Sequence, residues 1–260
     1  MIIWLLKLDI ALMIVISQKI LFLRFLNRIS NPLRRLKKRF KVLLHQDLEY
    51  AFLLSRGVIH VGASLGQERQ LYNRYNLSVI WIEALGDVYQ QLVHNLRNFP
   101  KQQAFHALLT DQVDTVYDYF VASNNGMSSS ILPPSGHKAV WQEISFATEQ
   151  TMTSTTLVEL VLKEHINVED YDCLVMDTQG SELLVLQGAG ELLNKFRFVL
   201  SEVADFEAYV NCCTVSSLGD YLQKAGFQEK MRQVYPVGEN QNYYQVLYEN
   251  LRYKKTGKLL

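Results

Sequence analysis

Cysteine is scarce in this 260-residue chain, with Cys173, Cys212 and Cys213 as its three examples. Three thiols at this spacing build neither a disulfide framework nor a zinc site of the Cys-x-x-Cys type. The adjacent pair Cys212-Cys213 is too close to bridge without a strained ring, and Cys173 lies in an apolar run. The odd count and poor spacing point to a reducing compartment, the cytoplasm. Net charge is lacking too: 26 Lys and Arg balance 26 Asp and Glu. Long apolar runs are absent from the N-terminal stretch where one would be sought. Lys7, Asp9, Lys19 and Arg24 interrupt it, so its longest uncharged run is Ile10 to Gln18. That is about half of the ~20 residues a membrane span requires. No small-residue cleavage site follows, which argues against a secretory signal.

The neutral total conceals an asymmetry. Met1 to Lys41 carries ten Lys and Arg against one acid, Asp9, leaving 16 basic and 25 acidic residues in the rest, a net charge of −9. An acidic body lacks the basic footprint that nucleic acid demands, so no nucleic-acid partner is expected. The basic cluster Arg34, Arg35, Lys37, Lys38 and Arg39 follows the apolar stretch. Such a segment suits peripheral contact with an anionic membrane through residues 1–41; packing on the domain or a partner subunit is the alternative. The chain thus divides into an N-terminal apolar and basic helical extension, 1–50, and a folded domain, 51–260. With apolar residues at 48% and charged ones at 20%, that domain has the balance of an ordinary globular protein.

From Gly57 onward, short apolar runs alternate with helical stretches. Strands are expected at Val58–Val61, Val79–Ile82, Ala104–Leu109, Thr115–Val121, Cys173–Met176, Phe198–Leu200 and Tyr243–Tyr248. Helices are expected at Leu65–Tyr75, Asp87–Arg97, Leu157–Glu164, Leu183–Asn194 and Ser216–Ala225, with a polar loop at Ser123–Ser130. Such alternation implies a doubly wound α/β fold, a parallel sheet covered on both faces, with the last strand antiparallel at its end.

Open α/β sheets bind ligands beyond the carboxyl ends of their strands. The first strand ends in Gly62-Ala63-Ser64-Leu65-Gly66, whose small residues let backbone approach a ligand. The spacing lacks the central glycine of the dinucleotide fingerprint G-x-G-x-x-G and the Lys-Ser/Thr of a phosphate-binding loop. Without that glycine, and without a Tyr-x-x-x-Lys pair, a nicotinamide-dependent oxidoreductase is disfavoured. The second strand ends in Glu83, twenty-one residues after Gly62, where a carboxylate can accept both hydroxyls of a ribose. A helix-capping carboxylate is the alternative. Glycine turn and acid together point to an adenosyl nucleotide.

The segment Leu174-Val175-Met176-Asp177-Thr178-Gln179-Gly180-Ser181-Glu182, followed by Val185-Leu186-Gln187-Gly188-Ala189, resembles the signature of the FkbM methyltransferase family. Val61-Gly62-Ala63 through Gly66, Ile82-Glu83-Ala84, Gly126 to Ser130, Ser201-Glu202-Val203 and Gly226-Phe227 fall where that family has similar residues. The resemblance spans Gly57 to Tyr248. It departs at His60 and Val158, where many members carry acidic residues.

The resemblance implies a Rossmann-like class I methyltransferase fold, S-adenosyl-L-methionine as cofactor, and O-methylation of a small-molecule or glycan acceptor, with no metal. By position, Gly62, Ala63 and Gly66 would receive the methionine part of the cofactor and Glu83 the ribose. Asp111 would take the adenine amino group, with a turn-forming role as its alternative. Asp177 would sit beside the reactive methyl as stabiliser or base, and Glu182 and Glu202 on the same rim make Glu202 a second catalytic candidate. The Asn124–Ser130 loop would be a lid or a plain hairpin loop. A rival of another class is a scaffold of the same fold, nucleotide-binding or membrane-recruited, without catalysis.

Overall fold

The structure, a computed structural model, describes residues 48–253, except the side chains at 148 and 149. Segment 1–41, with its expected membrane contact, lies outside the described residues, as does all but the end of the 1–50 extension. Among the described residues no helix is long and apolar enough to cross a membrane.

Among the described residues ten strands form two sheets. The larger takes β1 (Gly57–Val61), β2 (Ser78–Glu83), β3 (Gln102–His106), β7 (Cys173–Met176), β8 (Phe198–Ala204), β9 (Phe227–Gly238) and β10 (Gln241–Asn250), in the order β3-β2-β1-β7-β8-β10-β9. β1 pairs in parallel with β2 on one side and β7 on the other, and β8 continues the parallel run. β10 is antiparallel to both β8 and β9, as the sequence pattern leads one to expect for the last strand, but it lies one strand in, with the unexpected β9 at the sheet's edge. Every residue of β1 and of β7 is buried. That is why β7 reads as an unbroken apolar run, and β1 as one interrupted by His60 alone, rather than as alternating patterns. The chain winds outward from β1 to β3, then returns to place β7 on β1's other edge. A crevice therefore opens where the carboxyl ends of β1 and β7 meet.

The described helices are short: α1 (Tyr50–Leu54), α2 (Arg69–Arg74), α3 (Gly86–Asn95), α4 (Gly136–Val140), α5 (Leu157–Lys163), α6 (Glu182–Ala189) and α7 (Val215–Lys224). Thr156 caps α5 by accepting the Glu159 N–H at 3.1 Å, so Val158 in place of an acid does not cost the helix its cap. Val185, Leu186 and Ala189 of α6 are buried in the same core as Ile59, Leu174 and Val199 of the sheet. Gly188 on the same helix allows a close approach: a Cβ there would stand 2.0 Å from the Thr110 carbonyl oxygen. His60 is absorbed into a buried aromatic cluster. Its ring stacks on Trp81 at 4.9 Å and its Nδ1 lies 3.0 Å from the Tyr72 hydroxyl. Burial lowers its pKa, so it sits there as a neutral packing group.

The smaller sheet, β4-β6-β5, consists of β4 (Leu108–Leu109), β5 (Val116–Ala122) and β6 (Phe146–Thr155). It corrects the expected third strand. Ala104–Leu109 is not continuous but divides at Ala107, its first part pairing with β2 and its last two residues crossing to β6. The expected helix at Leu65–Tyr75 is also shortened. Ser64 and Gly66 have φ of 45° and 69°, which no helix accommodates, so a turn runs to Glu68 before α2 begins. Gly190, at φ 48°, likewise ends α6, and the rest of the expected helix to Asn194 is a 3₁₀ turn.

Candidate active site

The end of β1 is pressed against the end of β7. Gly62 has φ 76°, and a Cβ on it would lie 1.9 Å from the Asp177 carbonyl oxygen, so only glycine fits. Its N–H and that of Ala63 both donate to the Ile82 carbonyl, at 3.0 and 3.1 Å. The next N–H, from Ser64, donates to Glu83 Oε2 at 2.7 Å, while Glu83 Oε1 accepts the Leu85 N–H at 2.8 Å. Glu83 thus fastens the turns after β1 and β2 to each other. Burial raises its pKa, against the pull of those N–H groups.

The turn after β7 explains the D-T-Q-G-S-E spacing. Gln179 and Gly180 both have positive φ, 54° and 100°. Glu182 folds back so that its Oε1 accepts the N–H groups of Thr178 (2.9 Å) and Gly180 (3.1 Å), and its Oε2 lies 3.2 Å from Cys213 Sγ. With its surface almost wholly covered, Glu182 holds the loop rather than facing ligand. Gln179 joins what Glu182 leaves free. Its Nε2 donates to Asp177 Oδ1 at 2.7 Å, its Oε1 lies 2.9 Å from the Tyr209 hydroxyl, and its carbonyl accepts from Ser130 Oγ at 2.8 Å.

Two clefts meet at Asp177 and Gln179. The first encloses about 850 Å³, its open mouth included, and Gly62, Ala63, Glu83 and Asp177 all line it. Ala84, Leu108, Leu109 and Ile131 give it an apolar wall, and Glu68 adds a carboxylate at its rim. Thr178 Oγ1, also on this cleft, is buried with no hydrogen-bond partner. The second cleft is bounded by Trp141, Tyr235, Tyr243, Gln245, His137 and Glu202. Burial raises the Asp177 pKa, and the neighbouring Glu202 carboxylate raises it further. Burial likewise raises that of Glu202, against a hydrogen bond from Gln245. Two enclosed carboxylates that raise the cost of each other's charge resist double ionisation.

Five of the seven sequence-derived candidates therefore converge here: Gly62, Ala63, Glu83 and Asp177 on the first cleft, Asp177 and Glu202 on the second. Gly66 and Asp111 are not brought to either. Gly66 packs toward α3, where a Cβ would meet Leu92 at 2.7 Å, and its part is the turn rather than the cleft. Asp111 lies past the end of β4, and Leu108 and Leu109 supply the cleft wall in its stead. Glu68 escaped sequence reasoning because the expected helix from Leu65 made it a helical surface acid. The left-handed pair Ser64 and Gly66, which instead turns the chain, has only a glycine as its sequence signal.

Residues 60–229, nearly two-thirds of the chain, match the family described as Methyltransferase FkbM domain. The chain is also 25% identical over 134 residues to the 2-O-methyltransferase NoeI of Sinorhizobium fredii, an alignment covering 49% of this chain and 54% of that protein. It thus spans about half the length of that curated relative. Among solved structures it is similar to Streptococcus pneumoniae Sp1610 in complex with S-adenosyl-L-methionine: 15% identity, TM-score 0.43, covering 82% of this chain and 74% of that one. It is similar as well to magnesium protoporphyrin IX methyltransferase from Synechocystis PCC 6803 with bound SAM: 9% identity, TM-score 0.45, covering 83% and 79%.

Proposed function

This chain belongs to the Methyltransferase FkbM domain family, whose cofactor is S-adenosylmethionine, and we propose that it transfers a methyl group from that cofactor to a hydroxyl oxygen of a sugar or small metabolite. The observation that carries this reading is the placement of Asp177, whose carboxylate stands where the two clefts join.

The residues of the first cleft fit the cofactor. The unpartnered Thr178 hydroxyl and the glycine-built bend at Gly62 suit its methionine portion, and Glu68 suits the ammonium of that portion. Glu83 keeps lone pairs for the ribose hydroxyls beside the two N–H groups it already accepts. Leu108, Leu109 and Ile131 offer an apolar wall to the base. When bound, the cofactor supplies an electrophilic methyl group on a sulfonium centre.

Asp177 takes the proton of the acceptor hydroxyl, which makes that oxygen a better nucleophile. Its raised pKa suits the task, since a base works best when its pKa approaches the working pH. Gln179 orients the carboxylate by donating to Oδ1, and Tyr209 in turn fixes Gln179. The rest of the catalytic effect is alignment of acceptor and donor between the two clefts. The NoeI likeness, to a protein named as a 2-O-methyltransferase, supports oxygen as the methylated atom. The three free thiols support a reducing compartment such as the cytoplasm.

Asp177→Asn keeps the side-chain volume and the contact with Gln179 but removes the basic oxygen. With tritiated S-adenosylmethionine and a mixture of glycans and polar metabolites as acceptors, label transfer should fall by ~10²-fold or more while cofactor affinity changes little. Undiminished transfer would remove Asp177 as the base. A loss of cofactor binding in step with turnover would make it a cofactor-holding residue.

A further inference from the structure

The second cleft has a chemical character of its own. It joins the first through Asp177, Gln179 and Met127, so anything held in it lies beside the end of β7. Two carboxylates, Asp177 and Glu202, face it, and among the described residues that line it there is no Lys or Arg. An anionic group entering it would meet like charge with no cation to offset it.

Two residues of its lining carry a buried polar atom without a partner: the hydroxyl of Tyr243, a residue 9% exposed, and Nδ1 of His137, a residue 2% exposed. His137 Nε2 lies 3.1 Å from Ser128 Oγ, so whichever tautomer it adopts, Nδ1 is left to donate or accept. Burial pushes the His137 pKa down to about 4, and the ring brings no positive charge at neutral pH. Buried polar groups without partners are uncommon in folded proteins and cost stability. Here both residues line one cleft, and a ligand rich in hydroxyls that reached these atoms would satisfy them. The same cleft carries aromatic surface. Trp141 is held by His137 at 4.6 Å and by Tyr243 at 5.6 Å, and Tyr235 stands 38% exposed at its edge.

We infer that this second cleft is the acceptor subsite, and that it takes an uncharged, polyhydroxylated ring: a sugar with no phosphate or carboxylate near the hydroxyl to be methylated. Trp141 and Tyr235 cover the apolar face of the ring. The Tyr243 hydroxyl and His137 Nδ1 bond its hydroxyls, and Asp177 and Glu202 accept from two of them. This rests on the methyl-transfer reading above and narrows it to one substrate class.

Binding rather than turnover tests the inference. The full-length protein, saturated with S-adenosylhomocysteine, is titrated with uncharged methyl glycosides of common hexoses and deoxyhexoses, and with phosphate esters of the same sugars. At least one uncharged glycoside should bind, and its phosphate ester should bind at least about tenfold more weakly. Tyr243→Phe should weaken the glycoside by about tenfold, the scale of one hydrogen bond. It should leave the melting temperature unchanged or raised, because the hydroxyl it deletes has no partner in the free protein. Trp141→Phe, which keeps an aromatic ring, should weaken it less than Trp141→Ala. Equal or tighter binding of the phosphate esters would overturn the inference, as would a short RNA binding in their place. So would an absence of binding by every uncharged glycoside, or glycoside binding indifferent to Tyr243→Phe. The two readings fail separately: glycoside binding here with methyl delivered to nitrogen would sink only oxygen transfer. Oxygen methylation of an acceptor indifferent to these substitutions would sink only the subsite.

Discussion

On the cofactor side of Asp177 the floor of the cleft, at the ends of β1 and β7, is shaped by backbone: the bend at Gly62, the N–H groups of Ser64 and Leu85 gathered by Glu83, and the Thr178–Gly180 turn tied by Glu182. On the acceptor side it is shaped by side chains drawn from separated parts of the chain, Trp141 and His137 from around α4, Tyr235 and Tyr243 from β9 and β10. A backbone wall is fixed by φ and ψ and by close approach of neighbouring turns, so it serves a ligand that never changes. A side-chain wall can be rewritten one residue at a time without disturbing the strands beneath, as a variable acceptor requires.

The sharpest way to break this comparison is a single methyl group at Gly62. In Gly62→Ala the new Cβ would lie 1.9 Å from the Asp177 carbonyl oxygen, at a φ of 76° that alanine resists. Destabilisation on the order of 3 kcal/mol or more is expected, with cofactor binding lost in whatever folds. Tyr235→Ala on the opposite wall removes far more atoms yet should shift stability by only about 0.5 kcal/mol, as at other exposed positions. Urea denaturation of both variants decides it. Comparable losses would show the two walls to be built alike.

A smaller effect is expected from Glu83→Gln. Both oxygens of Glu83 already hold backbone N–H groups, and an amide turns one of them into a donor facing a donor. Stability should fall by about 1–3 kcal/mol, the cost of a buried donor left unpaired. If Glu83 also holds the ribose, cofactor affinity at a temperature where both proteins are folded should fall by a further ~1–2 kcal/mol, about five- to thirtyfold. A stability loss without the affinity loss would leave Glu83 as a fastener of turns. Calorimetry on the same samples gives both numbers.

The same contrast governs what could be seen in the sequence. β1, β2 and β7 were legible because strands buried on both faces leave nearly continuous apolar runs, and the turn residues at their ends lie next to them in the chain. β9 was not. As an edge strand it shows solvent most of its length, Gln228 to Lys230 and Arg232 to Pro236, so no apolar period marks it. β6, mostly polar and paired in a small separate sheet, was missed on similar grounds. Glu182 illustrates a subtler limit. Its place in the signature was visible, but that its carboxylate binds backbone two and four residues earlier depends on the positive φ of Gln179 and Gly180. The acceptor wall combines residues more than a hundred positions apart, and no local pattern announces such a meeting.

The least disruptive test concerns the carboxylate pair, Asp177 on both walls and Glu202 on the second. Asp177 and Glu202 each have a pKa raised by burial, and the charge of Glu202 raises that of Asp177 further. If Asp177 is the base, kcat/KM should rise with pH as the pair loses its proton, on a limb set above the ordinary carboxylate range. Glu202→Gln removes the neighbouring charge, so Asp177 should ionise more readily and that limb should move to lower pH. Stability carries the same sign. A carboxyl whose folded pKa exceeds its unfolded one stabilises the fold below the unfolded pKa, and loses that contribution as pH rises through the folded value. The pair therefore opposes folding at neutral pH. Glu202→Gln should raise the melting temperature there, and its advantage should shrink on acidification toward the carboxylate range. A limb that stays in place while the melting temperature rises would mean that the pair is strained but that another group supplies the base. If neither moved, the two carboxylates would be too weakly coupled to join the walls at all.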